Sequence, residues 1–135
     1  PVFNRLMAKV GRDPQKTPVS CWIAAYSGGQ PSGWGGAMGP SQFIPSTWVI
    51  FEKRIESVTG ATMADPWNPY HAITATALYL EDLGAVAGNE AAERNAACRY
   101  YSGRSCSASS AGAGYGNAVM KKLYAMQADI DKLQR

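Results

Sequence analysis

The chain has 135 residues, of which 46% are hydrophobic and 17% are charged, and its formal net charge is +3. This length predicts a single domain spanning residues 1–135, and the hydrophobic content excludes a disordered chain. The slight basic excess argues against a nucleic-acid partner, and it is compatible with an anionic polymer such as a bacterial cell wall. No run of about 18 apolar residues predicts a membrane span.

The first elements in chain order are a helix and a long loop. The helix is predicted from apolar residues at helical spacing that end at Gly11, a natural C-terminal cap: Val2, Phe3, Leu6, Met7 and Val10. The opening lacks an initiator Met and a basic-then-apolar leader, so we expect that an earlier segment precedes this chain. From Arg12 to Gly39, frequent glycine, proline and serine predict a long, functional loop that carries aromatic side chains.

A second helix is predicted from about Ser46 to Ser57, and Thr59 and Gly60 close it. Its inward positions are apolar: Trp48, Phe51 and Ile55. Its outward positions are charged: Glu52, Lys53, Arg54 and Glu56.

The third helix has its own start and stop signals. Asn68 is a suitable N-terminal cap, Pro69 suits the first turn, and Gly84 ends the helix. The apolar residues within it are Ile73, Ala77, Leu78 and Leu80.

Two more helices follow, a fourth from Glu90 to Tyr101 and a fifth from about Tyr115 to Leu133. The fifth carries one apolar stripe: Val119, Leu123, Met126 and Ile130. The sequence "SGRSCSASSAGAGYG" between them predicts a flexible loop. Because no segment alternates as a strand does and no Asn-Gly turn joins apolar runs, the predicted fold class is all-α.

The three cysteines allow one disulfide. Seven residues separate Cys98 from Cys106 at the edge of the predicted loop, and a bridge would attach this loop to the fourth helix in an oxidising compartment. The alternative is two ordinary reduced cysteines, one buried and one exposed. Cys21 is left over, and we expect that it has lost a partner in an upstream segment.

The sequence does not support a metal, phosphate or cofactor site. His71 is the only histidine and no cysteines have CxxC spacing, so a zinc site lacks ligands. A catalytic triad would also need His71, and neither a GxSxG motif nor the Lys-Ser or Lys-Thr pair of a phosphate loop is present. We expect a structural, partly exposed His71 in the first turn of the third helix, and we predict no metal and no cofactor.

The segment "GGAMGPSQFIPSTW", from Gly35 to Trp48, has the composition of a binding loop. Glycines allow tight turns and close approach of a ligand, and the amide of Gln42 can both donate and accept hydrogen bonds. Trp34, Phe43 and Trp48 would supply flat apolar faces, which suit sugar rings that carry N-acetyl groups. A packed turn between two helices explains the same composition equally well.

Three segments, in order, resemble the motifs of bacterial lytic transglycosylases, especially the membrane-bound B type. "GGAMGPSQFIPSTW" resembles the family's glycine-alanine-methionine-glycine, glutamine-phenylalanine and proline-serine motif. "DPWNPYHAITATALYLEDLGA" resembles its Asp-Pro motif with the following helix, and "CRYYSG" resembles its tyrosine-asparagine-small-glycine motif. The resemblance covers Gly35 to about Tyr124 and implies a goose-lysozyme-like fold.

The resemblance implies cleavage of peptidoglycan between N-acetylmuramic acid and N-acetylglucosamine, without water, to leave a 1,6-anhydro end. One buried glutamate with a raised pKa would protonate the glycosidic oxygen and then take a proton from the muramyl hydroxyl. Gln42 would bind sugar amide groups, Tyr100 would lie near the reacting acetamide, and Tyr101 stands where the family commonly has asparagine. The implied substrate-binding residues are Gly36, Ala37, Met38 and Gly39 at the groove floor, with Gln42, Phe43, Tyr100 and Tyr101.

The family's catalytic glutamate has no counterpart in this sequence. It precedes the glycine-alanine-methionine-glycine motif in a Glu-Ser or Glu-Thr pair, whereas the only acidic residue before Gly36 is Asp13, in a predicted turn. Asp65 is expected to have a capping role. The other acidic residues are predicted to lie on solvated helix surfaces: Glu52, Glu56, Glu81, Asp82, Glu90, Glu93, Asp129 and Asp131.

Three functions stay open. The first is an extracytoplasmic bacterial lytic transglycosylase domain that acts on peptidoglycan glycan strands and whose acid-bearing N-terminal segment lies outside this sequence. The second is a wall-binding module that keeps the groove without the acid, and the third is a secreted helical interaction domain. A Glu-Ser pair in the longer gene would select the first.

Overall fold

The computed structural model describes residues 2–20, 26–27, 30–31 and 36–134 of the chain. The described part is mostly helical, as the all-α prediction requires. Its helices are α1 (Val2–Lys9), α2 (Pro45–Thr59), α3 (Pro69–Asp82), α4 (Glu90–Ser102) and α5 (Ser110–Leu133), with a 3₁₀ turn at Cys106–Ala108. Within the predicted loop, β1 (Tyr26–Ser27) and β2 (Gln30–Pro31) form a small antiparallel pair, with Tyr26 opposite Pro31.

The helix ends follow the local signals in the sequence. Gly60 takes the left-handed conformation after α2 and donates its N–H to Glu56. Before α3, the side chain of Asn68 accepts a hydrogen bond from the backbone N–H of Tyr70 at 2.9 Å, which confirms the predicted cap. Within the described residues, no helix is both long and apolar enough to cross a membrane.

The chain divides into two compact units, Pro1–Leu78 and Tyr79–Arg135, which we describe separately. In the first unit, α1 packs against α2 around a core of apolar side chains. These buried side chains include Phe3, Leu6, Met7, Met38, Phe43, Trp48, Phe51, Ile55, Ala72 and Ala75. The prediction that the whole chain is one domain stays a prediction.

In the second unit, α4 packs against α5 through small residues. Ala96, Ala97 and Cys98 are buried on α4, and Cys98 lies against both Gly112 and Gly116 of α5. Cys98 and Cys106 are joined by a disulfide with an S–S distance of 2.02 Å, which confirms the predicted pairing. Cys21 lies outside the described residues.

The prediction of a flexible loop between α4 and α5 is wrong for most of this segment. It contains the 3₁₀ turn, and α5 begins at Ser110 rather than near Tyr115. Ser109 caps α5 by accepting a hydrogen bond from Gly112 at 3.0 Å. Gly112 and Gly116, which have low helix propensity, are buried against α4, so close packing outweighs propensity in this segment.

Candidate functional site

Residues 36–43 form a tight turn, called here the glycine turn, in the first unit. The backbone N–H of Met38 donates to Phe43 at 2.9 Å and closes the turn, while Ala37 pairs with Ser20 through two hydrogen bonds of 2.8 and 3.0 Å. Gln42 donates its backbone N–H to Gly39 at 3.3 Å within the turn. The segment is therefore fixed by backbone hydrogen bonds on both sides.

Two glycines of this turn cannot be replaced without displacing other backbone. Gly36 has a φ of 82°, and a Cβ there would lie 2.6 Å from the carbonyl oxygen of Ser20. Gly39 has a φ of 59°, and its Cβ would overlap the carbonyl oxygen of Pro66 and lie 2.8 Å from the carbonyl carbon. Such contacts are far too short for real atoms. Gly39 therefore allows the glycine turn to lie directly on the Asp-Pro motif.

Ser41 adds a second connection between these two motifs. Its hydroxyl donates to the backbone carbonyl of Ala72 in α3 at 2.9 Å, and it accepts from the hydroxyl of Thr76 at 2.9 Å. The first two motif segments that the sequence singled out are thus joined by polar contacts as well as by backbone packing.

Gln42 is an exposed polar residue of the glycine turn, and its backbone has a φ of 56°. A left-handed conformation is uncommon for a residue with a Cβ and costs about 1 kcal/mol or more. The side chain is also held, because its Oε1 accepts from the Ser20 hydroxyl and its Nε2 donates to Gly39 at 2.8 Å. The amide keeps one further N–H and one further lone pair that can reach a ligand.

The prediction of flat aromatic faces is wrong for two of the three residues. Phe43 is 4% exposed and Trp48 is fully buried, and their rings pack edge to face at 5.8 Å inside the core. These rings interact with one another and with Phe51, so they are not available to a sugar. Met38 is buried as well, whereas Ala37 and Gly39 are half-buried. Trp34 lies outside the described residues.

His71 and Asp65 organise the backbone of the Asp-Pro motif. His71 is only 8% exposed, so the expected partial exposure is wrong. Its Nδ1 accepts a hydrogen bond from the backbone N–H of Asp65 at 3.0 Å, which assigns the ring proton of the neutral form to Nε2. Asp65 accepts from the N–H of Trp67 at 2.9 Å, which forms an Asx turn. The expected capping role of Asp65 is therefore wrong, because Asn68 caps α3. The other Asp65 oxygen binds Arg12 at 3.0 Å, and that guanidinium also covers the Trp67 ring.

All four acidic residues of the first unit are in ion pairs. Asp65 pairs with Arg12, and Asp13 pairs with Lys16 at 3.8 Å. The remaining two carboxylates belong to Glu52 and Glu56, which both pair with Lys9. None of the four is the unpaired, desolvated carboxyl that a general acid needs.

Glu52 and Glu56 are not the solvated surface residues that the helical pattern predicted. Their side chains are only 16% and 20% exposed, because Lys9 of α1 lies 3.2 Å from each carboxylate. Burial raises the pKa of Glu56, but the Lys9 hydrogen bond and charge outweigh it, so the pKa lies below its ordinary value of 4.5. Burial likewise opposes the charge on Lys9, yet the two carboxylates hold its pKa above 10.5.

The third motif lies in the second unit. The Tyr100 ring contacts the Tyr79 ring with centroids 5.1 Å apart, and Tyr101 stacks on Tyr115 at 4.8 Å. No sequence pattern predicts this stacked pair, since Tyr115 is expected only as the start of a helix. That Gln42 and Tyr100 line one groove stays a prediction.

The first unit also contains a cavity of about 360 Å³ between α1 and α2. It is lined by Val2, Arg5, Leu6, Lys9, Val49 and Glu52. This cavity is lined by none of the motif residues. Across the described ranges, no group of three or more His, Cys, Asp or Glu side chains is arranged to hold a metal ion.

Comparisons with known protein families, curated proteins and solved structures find no match to this chain. The functional interpretation therefore depends on the geometry of the motif residues and on the resemblance of their sequences.

Proposed function

We propose that this chain is the glycan-binding part of an extracytoplasmic peptidoglycan lytic transglycosylase with a goose-lysozyme-like fold. One observation carries the proposal: the glycine turn and the Asp-Pro motif form one fixed unit that holds Gln42 exposed in a strained conformation. Strained backbone that persists at an exposed polar residue is typical of binding and catalytic sites.

The amide of Gln42 is suited to the N-acetyl groups of peptidoglycan. Its free N–H can donate to an acetamide carbonyl, and its free lone pair can accept from an acetamide N–H. Because Ser20 and Gly39 hold the side chain in place, little side-chain entropy would be lost when a sugar binds. Tyr100 is the second glycan contact in this proposal, as the resemblance implies.

The ion pairs of the first unit support a catalytic acid that lies outside this chain. A lytic transglycosylase needs one carboxyl that protonates the glycosidic oxygen and then, as carboxylate, removes the proton of the muramyl hydroxyl. Asp13, Glu52, Glu56 and Asp65 are all paired with lysine or arginine side chains. We propose that a glutamate outside this 135-residue chain performs both proton transfers.

The same ion pairs favour a second candidate function, a wall-binding module without catalytic activity. Both candidates require Gln42 to contact glycan, and they differ only in whether a glutamate is supplied to the site. The Cys98–Cys106 disulfide is compatible with either, since both would act in an oxidising compartment.

The binding test uses purified peptidoglycan sacculi and variants of Gln42. Gln42→Gly removes the amide while relieving the left-handed strain, so we expect about tenfold weaker sedimentation with sacculi and no loss of thermal stability. Gln15→Ala is the matched control, because Gln15 is exposed in the same unit and only its backbone N–H is hydrogen-bonded. Equal binding by Gln42→Gly and the parent chain would contradict the proposal.

The two candidates are separated by the products of peptidoglycan digestion. We expect the 135-residue chain to release little or no anhydro-muropeptide, as measured by mass spectrometry, because general acid catalysis is worth about 10² to 10⁴ in rate. Anhydro products from the full natural gene product would support the transglycosylase. Anhydro products from the 135-residue chain would show that one of its own carboxylates is catalytic.

A further inference from the structure

The C-terminal part of α5 has an apolar seam that α4 leaves largely uncovered. The seam consists of Val119, Leu123, Met126, Ile130 and Leu133, whose spacing alternates between four and three residues. This is the heptad spacing of a two-helix coiled coil. Met126 is 65% and Ile130 is 45% exposed, although both are large apolar side chains.

α4 packs against a different row of residues on α5. It does not extend along the whole length of the seam. Gly112 lies against Ser102, Gly116 against Arg94, and Tyr124 near Glu90, so the two helices run in opposite directions. Glu90 is the first residue of α4. α5 therefore continues for about nine residues, or roughly 13 Å, beyond the start of α4.

A partner would stabilise this extension. Residues 121–134 are all exposed, so packing within the second unit adds little to the stability of this part of α5. Because the exposed seam of α5 is apolar, we expect it to pack against another apolar helical surface.

The charges beside the seam indicate that the partner is a second copy of α5 and that the two helices run antiparallel. Lys122 and Asp129 each directly precede a seam residue, the positions that form ion pairs between coiled-coil helices. If a second α5 runs antiparallel, with its Met126 opposite Leu123, then Lys122 of each copy faces Asp129 of the other. The same ion pair therefore forms twice across the interface, as two-fold symmetry requires.

Other arrangements of two copies do not place Lys122 of one copy opposite Asp129 of the other. In a parallel pair, Lys122 and Asp129 would face Gln127 and Gln134 of the other copy. In the next antiparallel register, with Met126 opposite Ile130, Asp129 would face Asp129. Within the described residues Lys122 has no ion-pair partner, and Asp129 has only the exposed Lys132 at 3.1 Å.

We propose that residues 119–133 of α5 bind the same segment of a second copy of this chain as an antiparallel coiled coil. The seam is only about four turns long, so the dimer is weak, with a Kd on the order of 100 µM. This inference is independent of the proposed glycan-binding function, because it uses no residue of the glycine turn.

The test is sedimentation velocity of the full chain over concentrations from about 10 µM to about 1 mM, the range around that Kd. A Cys21→Ser background excludes dimers that form through that thiol. We expect a concentration-dependent monomer–dimer equilibrium, which Lys122→Asp and Asp129→Lys should each weaken by about tenfold, because each variant places like charges opposite one another. The double variant should restore the affinity, since it exchanges the two charges.

Lys121→Asp is the matched control, because Lys121 is exposed on α5 away from the seam and should leave the dimer unchanged. Circular dichroism of each variant checks that α5 stays folded, and Met126→Ser should abolish the dimer. A chain that stays monomeric at the highest concentration would overturn the proposal. So would a double variant as weak as either single one, which would indicate another interface or another kind of partner.

Discussion

Gly39 and Pro66, which belong to two different motif segments, are in direct backbone contact. A Cβ on Gly39 would lie only 2.8 Å from the carbonyl carbon of Pro66 and 3.3 Å from Cα of Trp67. The contact explains why a glycine stands at this position, since any other residue would separate the glycine turn from the Asp-Pro motif.

Gly39→Ala should therefore destabilise the chain by about 3 kcal/mol, because it adds both a backbone clash and left-handed strain. Gly60→Ala is the matched control, since Gly60 has a φ of 72° and nothing within 4 Å of its Cβ position. The Gly60→Ala substitution should lower the free energy of unfolding by only about 1 kcal/mol. Urea denaturation measures both, and equal losses would mean that the Pro66 contact is unimportant.

Two glycines of α5 should respond to alanine in opposite ways. A Cβ on Gly116 would lie 2.5 Å from the Cys98 sulfur and 3.0 Å from the Arg94 carbonyl oxygen, whereas Gly114 has open space around it. We expect Gly114→Ala to stabilise the chain by about 1 kcal/mol through helix propensity, and Gly116→Ala to destabilise it by about 2 kcal/mol. Thermal unfolding distinguishes the two; stabilisation by both would refute the close α4–α5 packing.

Lys9 should stabilise the first unit in a pH-dependent way. Lys9→Met leaves the partly buried Glu52 and Glu56 without their cation and should cost about 1 kcal/mol near neutral pH. The folded pKa of Glu56 lies below 4.5, so its contribution is present above about pH 4.5 and is lost as the pH falls through the folded pKa. The pKa of Lys9 lies above 10.5, so its contribution is lost only when the pH rises past that value.

Denaturant titrations at about pH 7 and about pH 3 should show a difference between parent and Lys9→Met that shrinks in acid. Lys16→Met is the control, because the Lys16 and Asp13 side chains are 85% and 48% exposed and their pair should contribute little. A difference that stays constant from neutral to acidic pH would show that Lys9 acts through its packing and not through its charge.

The disulfide should stabilise the second unit by about 2 kcal/mol, since it closes a loop with a sequence separation of 8. Adding a reductant should lower the melting temperature of the parent chain by about 5 to 10 °C. The double variant Cys98→Ala, Cys106→Ala should melt at the same temperature with and without reductant. An unchanged parent melting temperature would mean that the bridge contributes nothing to stability.

The sequence alone predicted the features that depend on neighbouring residues. Asn68 and Pro69 start α3, and Gly60 ends α2, because caps act within one helical turn. The pairing of Cys98 with Cys106 was also within reach, since the two residues are near each other along the chain. The apolar positions predicted for α1 and α2 include the buried side chains of Phe3, Leu6, Met7, Trp48, Phe51 and Ile55.

The site residues were predicted less well, because composition does not distinguish a ligand-binding ring from a core ring. Phe43 and Trp48 stand in a motif typical of sugar binding, but both point into the core. Gln42 was identified from its amide group, whereas its left-handed backbone follows from the surrounding hydrogen bonds. No sequence pattern indicated the Tyr101–Tyr115 stack.

What the sequence determined by itself is therefore the helical class, most helix ends and the cysteine pair, all of which arise from interactions within a few residues. Tertiary structure decided the rest, because the deciding partners are distant along the chain. Lys9 lies 47 residues from Glu56 along the chain, yet the two side chains form an ion pair. A helix position that the pattern predicts to be solvated is therefore partly buried. Gly112 and Gly116 lie in a helix rather than in the predicted loop, at positions where α4 is too close for a larger side chain.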